Sequence, residues 1–350
     1  MTSHSVYFAS TILHLYAAAS IAAGRQNETA HLIFIDQPED KEYPLYSIVQ
    51  QWNTSPFASV RLLPGRFKGI VNKLRKRKQL FNNLEEIIKD LKPGNIFVGN
   101  DRRIEFQFSM HITETLGLKT KGHYMDEGTF TYVGRKASSS FGDAVVDNWL
   151  KKLSYGLWWK NPLTVGESEW ISIIHVAFPN SIDSRLKQKI ICQLDHKKFI
   201  SPEVLQLSEL ILHYYHVATS RLSSLDALFT LPHESLFTQN PEYRGIIIKQ
   251  INEMKEQGLT VAAKYHPRNS ESDILNLTKA GVDLLPAGVS FEAILPLLPN
   301  TTYIIGDVSS TLLIARWLRP ELTVTSICAG EGNPDFIKLF HELNINVDYV

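Results

Sequence analysis

The stretch Thr302-Tyr303-Ile304-Ile305-Gly306-Asp307-Val308-Ser309-Ser310-Thr311-Leu312-Leu313-Ile314-Ala315-Arg316-Trp317-Leu318 carries the fold in miniature. Its front, Thr302–Gly306, is a short apolar run with β-branched and aromatic residues, the length and composition of a buried strand. Its back, Ser310–Leu318, is apolar at helical spacing and opens on hydroxyls suited to capping a first turn. A strand that passes through a polar turn into a helix is one βα unit. The unit recurs on both sides. Ala227–Leu231, Thr260–Tyr265, Val282–Leu285 and Leu322–Ile327 read as strands, and Glu242–Gln257, Ser272–Ala280, Phe291–Leu298 and Asp335–Leu343 as helices. Gly258 and Gly281 stand at two of the helix ends, where a left-handed residue is needed.

The front of the chain repeats the alternation. Val6–Ala9 precedes the helical run Thr11–Ala23, and His31–Ile35 is a second strand. Tyr43–Trp52 reads as a helix, Val60–Leu63 as a strand closed by Pro64-Gly65, and Phe67–Leu91 as a long helix. Asn95–Val98 leads into the turn Gly99-Asn100-Asp101, Ile104–Leu116 is helical, and His123–Met125 is a strand. Phe141–Val165, with Trp158-Trp159, reads as a helical excursion and loop, the tryptophans either stacking on sugars or packing the domains together. Ile171–Phe178 is another strand, and Arg185–His216 is a mixed connecting segment. Strict alternation predicts α/β domains with parallel sheets covered on both faces. A length of 350 residues suits two of them, expected at 1–215 and 216–350.

Bulk composition excludes several classes. Hydrophobic content of 44% and charged content of 21% are those of a globular protein with a large core. Net charge is zero, so nucleic acid is not an expected partner; attraction to any polyanion must be local. Cys192 and Cys328, the two cysteines, are far apart and form neither a metal motif nor a disulfide framework, which points to a reducing, cytoplasmic setting. That setting leaves the sequons at Asn27, Asn53, Asn276 and Asn300 without weight. The apolar run Ser10–Gly24 lacks a basic leader, follows a strand and is too short to span a bilayer, so it is read as a core helix.

Ligands in open α/β sheets bind beyond the carboxyl ends of the strands, and three motifs lie there. Asp126-Glu127-Gly128 follows His123–Met125. Adjacent carboxylates on an extended chain point apart, so one can face a substrate as general base while the other holds the turn. His266-Pro267 follows Thr260–Tyr265; the proline keeps the histidine extended, and an imidazole there can serve a departing phosphate. Ser309-Ser310-Thr311 opens a helix, where amides and hydroxyls together accept an anion. Between the last two, Glu292 is placed to accept ribose hydroxyls.

In that order the motifs resemble those of the bacterial sialyltransferases of GT-B fold, which share a D/E-D/E-G, an HP and an S-S/T motif. Length and spacing look most like the polysialyltransferase branch, which includes capsule enzymes. The resemblance implies a GT-B fold of two Rossmann-like domains facing each other across a cleft, the front one on the acceptor side and the back one holding the nucleotide. It implies inverting transfer of sialic acid from CMP-sialic acid to a glycan hydroxyl, in capsule or lipopolysaccharide synthesis, with no cofactor and no metal. Glu127 would be the base, with Asp126 the alternative or its supporter. His266 would bind and protonate the departing phosphate, Ser309 and Ser310 (with Thr311) would hold it, and Glu292 would hold the ribose beside Pro267. Other readings are a transferase of another CMP-activated nonulosonic acid or Kdo, and a non-catalytic nucleotide- or glycan-binding homologue.

Acceptor-side candidates are Thr11 and His14 after the first strand, and Asn100, Arg102 and Arg103 after Asn95–Val98; the guanidinium geometry suits a carboxylate. The run Arg66, Lys68, Lys73, Arg75, Lys76, Arg77 and Lys78 is the densest positive charge in the chain. It is expected either as a solvated helix end or as a surface for an anionic glycan or for acidic lipid at the inner membrane face.

Overall fold

Both halves of the alternation close into all-parallel sheets. The computed structural model describes residues 3–134, 152, 155–330 and 333–349. It divides into two compact units, Met1–Lys198 and Phe199–Val350. The break falls ahead of the expected 215/216, because the helix Pro202–Tyr214 packs on the helix Phe291–Ile294 of the second unit.

The first sheet contains β1 (Ser3–Ala9), β2 (Glu28–Phe34), β3 (Phe57–Leu62), β4 (Asn95–Val98), β5 (Lys121–Met125), β6 (Ile171–Val176) and β7 (Ile190–Gln193), in the order β3-β2-β1-β4-β5-β6-β7. The second contains β8 (Ala227–Thr230), β9 (Val261–Lys264), β10 (Asp283–Leu285), β11 (Tyr303–Gly306), β12 (Thr323–Cys328) and β13 (Asn346–Tyr349), in the order β10-β9-β8-β11-β12-β13. Each sheet runs outward from its first strand and then returns to that strand's other side. The reversal leaves a crevice at the carboxyl ends of β1 and β4, and of β8 and β11.

The central strands are buried on both faces, which is why they read as continuous apolar runs: β4 is Asn-Ile-Phe-Val and β8 Ala-Leu-Phe-Thr, every residue buried. The apolar run after β1 forms the helix Ile12–Ala23, buried from Leu13 to Ala22. Among the described residues no helix is long and apolar enough to cross a membrane. The edge strands β7 and β13 are short and largely exposed. They carry no buried pattern to read, and neither is predicted by the sequence.

Ser272–Ala280, expected as a helix, is instead a series of turns. The Asp273 carboxylate accepts the Leu277 and Thr278 amides at 2.8 and 3.0 Å and the Tyr265 hydroxyl at 2.9 Å. Asn276 is left-handed, with φ 56°. Short polar side chains that bond nearby amides compete with helix in this way. The Trp158 ring stacks with His111 and meets Phe81 and Phe108 edge-on, all within the first unit. Most of the expected excursion, 141–151 and 153–154, lies outside the described residues.

Candidate active site

In the first unit the polar groups gather at the carboxyl ends of β1, β2, β4 and β5. Asp126, directly after β5, is fully buried. Its Oδ1 accepts the Gly128 amide at 2.8 Å and the Thr131 hydroxyl at 2.9 Å; its Oδ2 accepts the Ala177 amide at 2.9 Å and the Tyr132 hydroxyl. Burial pushes this carboxyl up and the four donors oppose it. Every lone-pair direction is occupied, so Asp126 ties the turn to the end of β6. Gly128, at φ 89°, supplies the backbone conformation the turn needs.

Glu127 is partly exposed. Its two carboxylate oxygens share the Asn100 side-chain amide, 3.1 Å from each. Burial raises its pKa to about 7; the Asn100 bond and the charge of Arg103 restrain the rise. Asn100 is itself fixed, its Oδ1 accepting the Arg102 amide at 3.1 Å. The two acids of the motif therefore have different environments and different capacities.

The other acceptor-side candidates separate. Arg103 bonds Asp36 at 2.7 Å, and Arg66 reaches the same Asp36 oxygen at 2.8 Å, so two guanidiniums meet one carboxylate beyond β2. Arg102 instead donates to Asn161 at 2.6 Å. Thr11 is exposed and caps its helix, accepting the His14 amide at 3.2 Å. His14 is buried, with Nδ1 beside Ser10 and Nε2 without a partner among the described residues. Burial and Arg103 lower its pKa to about 3, so the ring is neutral. It lies so close to Gly99 that a Cβ there would come within 2.0 Å of Nε2.

In the second unit, His266 follows β9 and is partly exposed, with Pro267 exposed beside it. Its Nδ1 accepts the Arg268 amide at 3.2 Å, which leaves the proton on Nε2. Burial, then the charges of Arg268, His233 and Lys264, hold its pKa below the usual histidine value. At neutral pH it is thus a neutral N–H donor, not an imidazolium. Ser309 is the N-cap of the helix Ser310–Leu318 but makes no side-chain capping bond to the first-turn amides. Ser310 is exposed and Thr311 partly buried.

Glu292 is buried at the first turn of Phe291–Ile294, capped by Ser290. Burial raises its pKa and the charge of Lys264 opposes the rise. Lys264, the last residue of β9, donates to the Ala287 carbonyl at 3.0 Å and so anchors the loop that presents Glu292; burial lowers its pKa to about 8. Asp307, bonded to the Ser309 side chain, is raised by burial to about 6. Lys264, Asp307 and the second histidine, His233, are not singled out by the sequence reading. A polar residue ending or directly following an apolar strand is the signal that could have found Lys264 and Asp307; His233, three positions past β8, carries no such mark.

Two doubly wound parallel sheets, each with polar groups at the carboxyl ends of its strands, are the architecture of the GT-B class, which glycosyltransferases share with sugar-nucleotide epimerases. The model of the alpha-2,8-polysialyltransferase family matches residues 5–328, and the chain belongs to that family. Among solved structures, an alpha/beta-galactoside alpha-2,3-sialyltransferase from the luminous marine bacterium Photobacterium phosphoreum superposes with a TM-score of 0.63. The match covers 99% of this chain and 98% of that one at 16% identity. The UDP-GlcNAc 2-epimerase of Methanocaldococcus jannaschii gives 0.58 over 99% and 88% at 14% identity. At these identities the likeness concerns the fold alone. No curated protein sequence matches. The expected fold class and sialyltransferase family are thereby borne out.

Proposed function

We propose that the chain transfers sialic acid from CMP-sialic acid to the hydroxyl of an anionic glycan, with inversion at the anomeric carbon. The observation that carries this is Glu127: a partly exposed carboxylate at a strand tip, held through both oxygens, with a pKa of about 7. A general base must be ionised at the working pH and still basic enough to take a proton, and a near-neutral pKa meets both needs. Glu127 takes the acceptor hydroxyl proton as the oxygen bonds to the anomeric carbon. The bond from that carbon to the phosphate oxygen breaks, its electron pair leaves with CMP, and attack from the opposite side inverts the centre.

On the donor side, the first-turn amides at Ser310 and the Ser309 and Ser310 hydroxyls take the phosphate. Ser309 then exchanges its bond to Asp307 for the ligand. Glu292 accepts the ribose hydroxyls. His266 donates its Nε2–H to the leaving phosphate, and takes on a proton only if the phosphate charge raises its affinity. Arg66 and Arg103, two cations on the single charge of Asp36, support an acceptor that carries carboxylates. The exposed Lys73, Arg75 and Lys78 support a further contact with a longer anionic chain or with acidic lipid at the inner membrane face.

The test is incubation with CMP-sialic acid, or with CMP-Kdo as competing donor, and a panel of galactosides and sialosides, read by mass spectrometry. Sialyl addition should occur in the native protein and be lost in Glu127→Gln and His266→Ala. Full activity in both variants, or transfer from CMP-Kdo alone, overturns the proposal.

A further inference from the structure

His266 has a counterpart one strand away. His233 follows β8, the strand beside β9, and its ring centroid lies 5.5 Å from that of His266 with the planes at 74°. The two histidines use the same local device. His233 Nδ1 accepts the amide of Ser235, two residues on, at 3.2 Å, just as His266 Nδ1 accepts that of Arg268 at 3.2 Å. Both rings therefore carry their proton on Nε2 when neutral, and neither Nε2 has a partner among the described residues. Both are partly exposed.

The segments bearing the two rings are braced to each other. The Glu234 amide donates to Asn269 Oδ1 at 3.1 Å, and the Glu234 carboxylate accepts the Ser270 amide at 2.9 Å and the Ser270 hydroxyl at 2.8 Å. This brace between the turn after β8 and the turn after β9 fixes the distance between the imidazoles before any ligand arrives. Sheet pairing of β8 with β9 alone would not do so, because both rings lie beyond the paired residues.

We propose that His233 is a second phosphate-contacting residue, acting with His266 as a pair of Nε2–H donors matched to the phosphate monoester released when the sugar leaves. The inference rests on the CMP-sugar reading above. In the donor the phosphate is a diester with one charge; in free CMP it is a monoester whose second ionisation has a pKa of about 6, so a second charge develops as the glycosidic bond breaks. The electron pair of the breaking bond stays on the phosphate oxygen and no proton needs to move. Two preset donors stabilise the developing dianion more than the monoanion, and so favour the transition state over the bound donor. The surrounding charges fit: Lys264 and Arg268 lie near His266, and Glu234 is turned to Ser270.

The experiment is calorimetric titration of the full chain with CMP and with cytidine, which lacks the phosphate. His233→Ala removes the ring, while His233→Asn keeps a side-chain acceptor for the Ser235 amide. Hydrogen bonds to a charged group predict a loss of about tenfold or more in CMP affinity in both variants, with cytidine affinity unchanged. Sialyl transfer should show a fall in kcat at little change in donor KM. Equal losses for CMP and cytidine would mean a merely structural role, and undiminished CMP affinity in both variants would refute the pairing. If the native protein binds neither ligand, the CMP-sugar reading itself fails, an outcome distinct from either.

Discussion

At the scale of single residues, the sharpest distinction is inside Asp126-Glu127. Spelled side by side the two acids are equivalent, and only the family resemblance ranks Glu127 ahead of Asp126 as the base. Four donors on Asp126 set the contrast between their environments: Thr131 and Tyr132 from the short helix that follows, Gly128 from the turn, and Ala177 from beyond β6, some fifty positions along. Asn100, from beyond β4, completes it by holding Glu127 instead. Two outcomes are expected. The rate of transfer in the native protein should climb as pH rises through about 7, because the Glu127 carboxylate must be ionised to accept a proton. Asn100→Ala removes a bond that favours the ionised form, so the climb should move to higher pH. A pH–rate profile measures both, and an unmoved profile in the variant would separate Glu127 from the base. Asp126→Asn should act mainly on folding. It sets an amide against a fully buried group of donors and should lower stability by about 1–3 kcal/mol, read by denaturant unfolding.

At the scale of elements, the helix Ile70–Leu91 shows how a charge run divides on folding. The run reads as one basic cluster. In the folded protein Lys68 pairs with Asp40, Lys76 with Glu39, and Arg77 with the buried Glu105 at 3.3 Å while donating to the Gly65 carbonyl at 3.1 Å. Lys73, Arg75 and Lys78 stay exposed, with Val71 and Leu74 exposed among them. The partners lie in other loops, so the sequence pattern could not sort structural from free cations. Replacing Arg77 with Ala removes the ion-pair partner of the buried Glu105 and should cost about 3–5 kcal/mol in a denaturant midpoint experiment. Replacing Lys73, Arg75 and Lys78 together should leave the midpoint within about 1 kcal/mol, since exposed charges contribute little, and lower affinity for long sialosides or acidic vesicles. Loss of stability in the triple variant, or none in Arg77→Ala, would reverse the assignment. Ser272–Ala280 makes the same point about an element: its spacing suits a helix, but Asp273 draws the local amides to its own carboxylate.

At the scale of the whole molecule, each unit has its own sheet and core. The second buries Ala227, Phe229, Tyr243, Ile247, Ile251, Ala263 and Ile305 in one cluster. The residues proposed for the donor side, Lys264, His266, Glu292, Ser309 and Ser310, all lie within Phe199–Val350. Expressed alone, residues 199–350 should unfold cooperatively and bind CMP by calorimetry, without catalysing transfer. Failure to fold, or transfer by this unit alone, would contradict the division.

The sequence by itself determined the α/β class, the order of nearly all the buried strands and the three strand-end motifs. Buried parallel strands are short and apolar on both faces, and turns at strand ends must be polar, so both leave a local signature. Tertiary structure decided what depends on residues far apart in the chain. Hydrogen bonding links His175 to His123, His123 to Asn95, and Asn95 to Glu28, across β6, β5, β4 and β2, with burial holding the two imidazoles neutral at pKa values of about 4 and about 3. Nothing local marks these residues as neighbours. The same holds for Asn100 on Glu127 and for His233 beside His266. Hydrophobic pattern is a property of consecutive residues, whereas proton affinity and hydrogen-bond capacity are set by whatever the sheet order brings alongside.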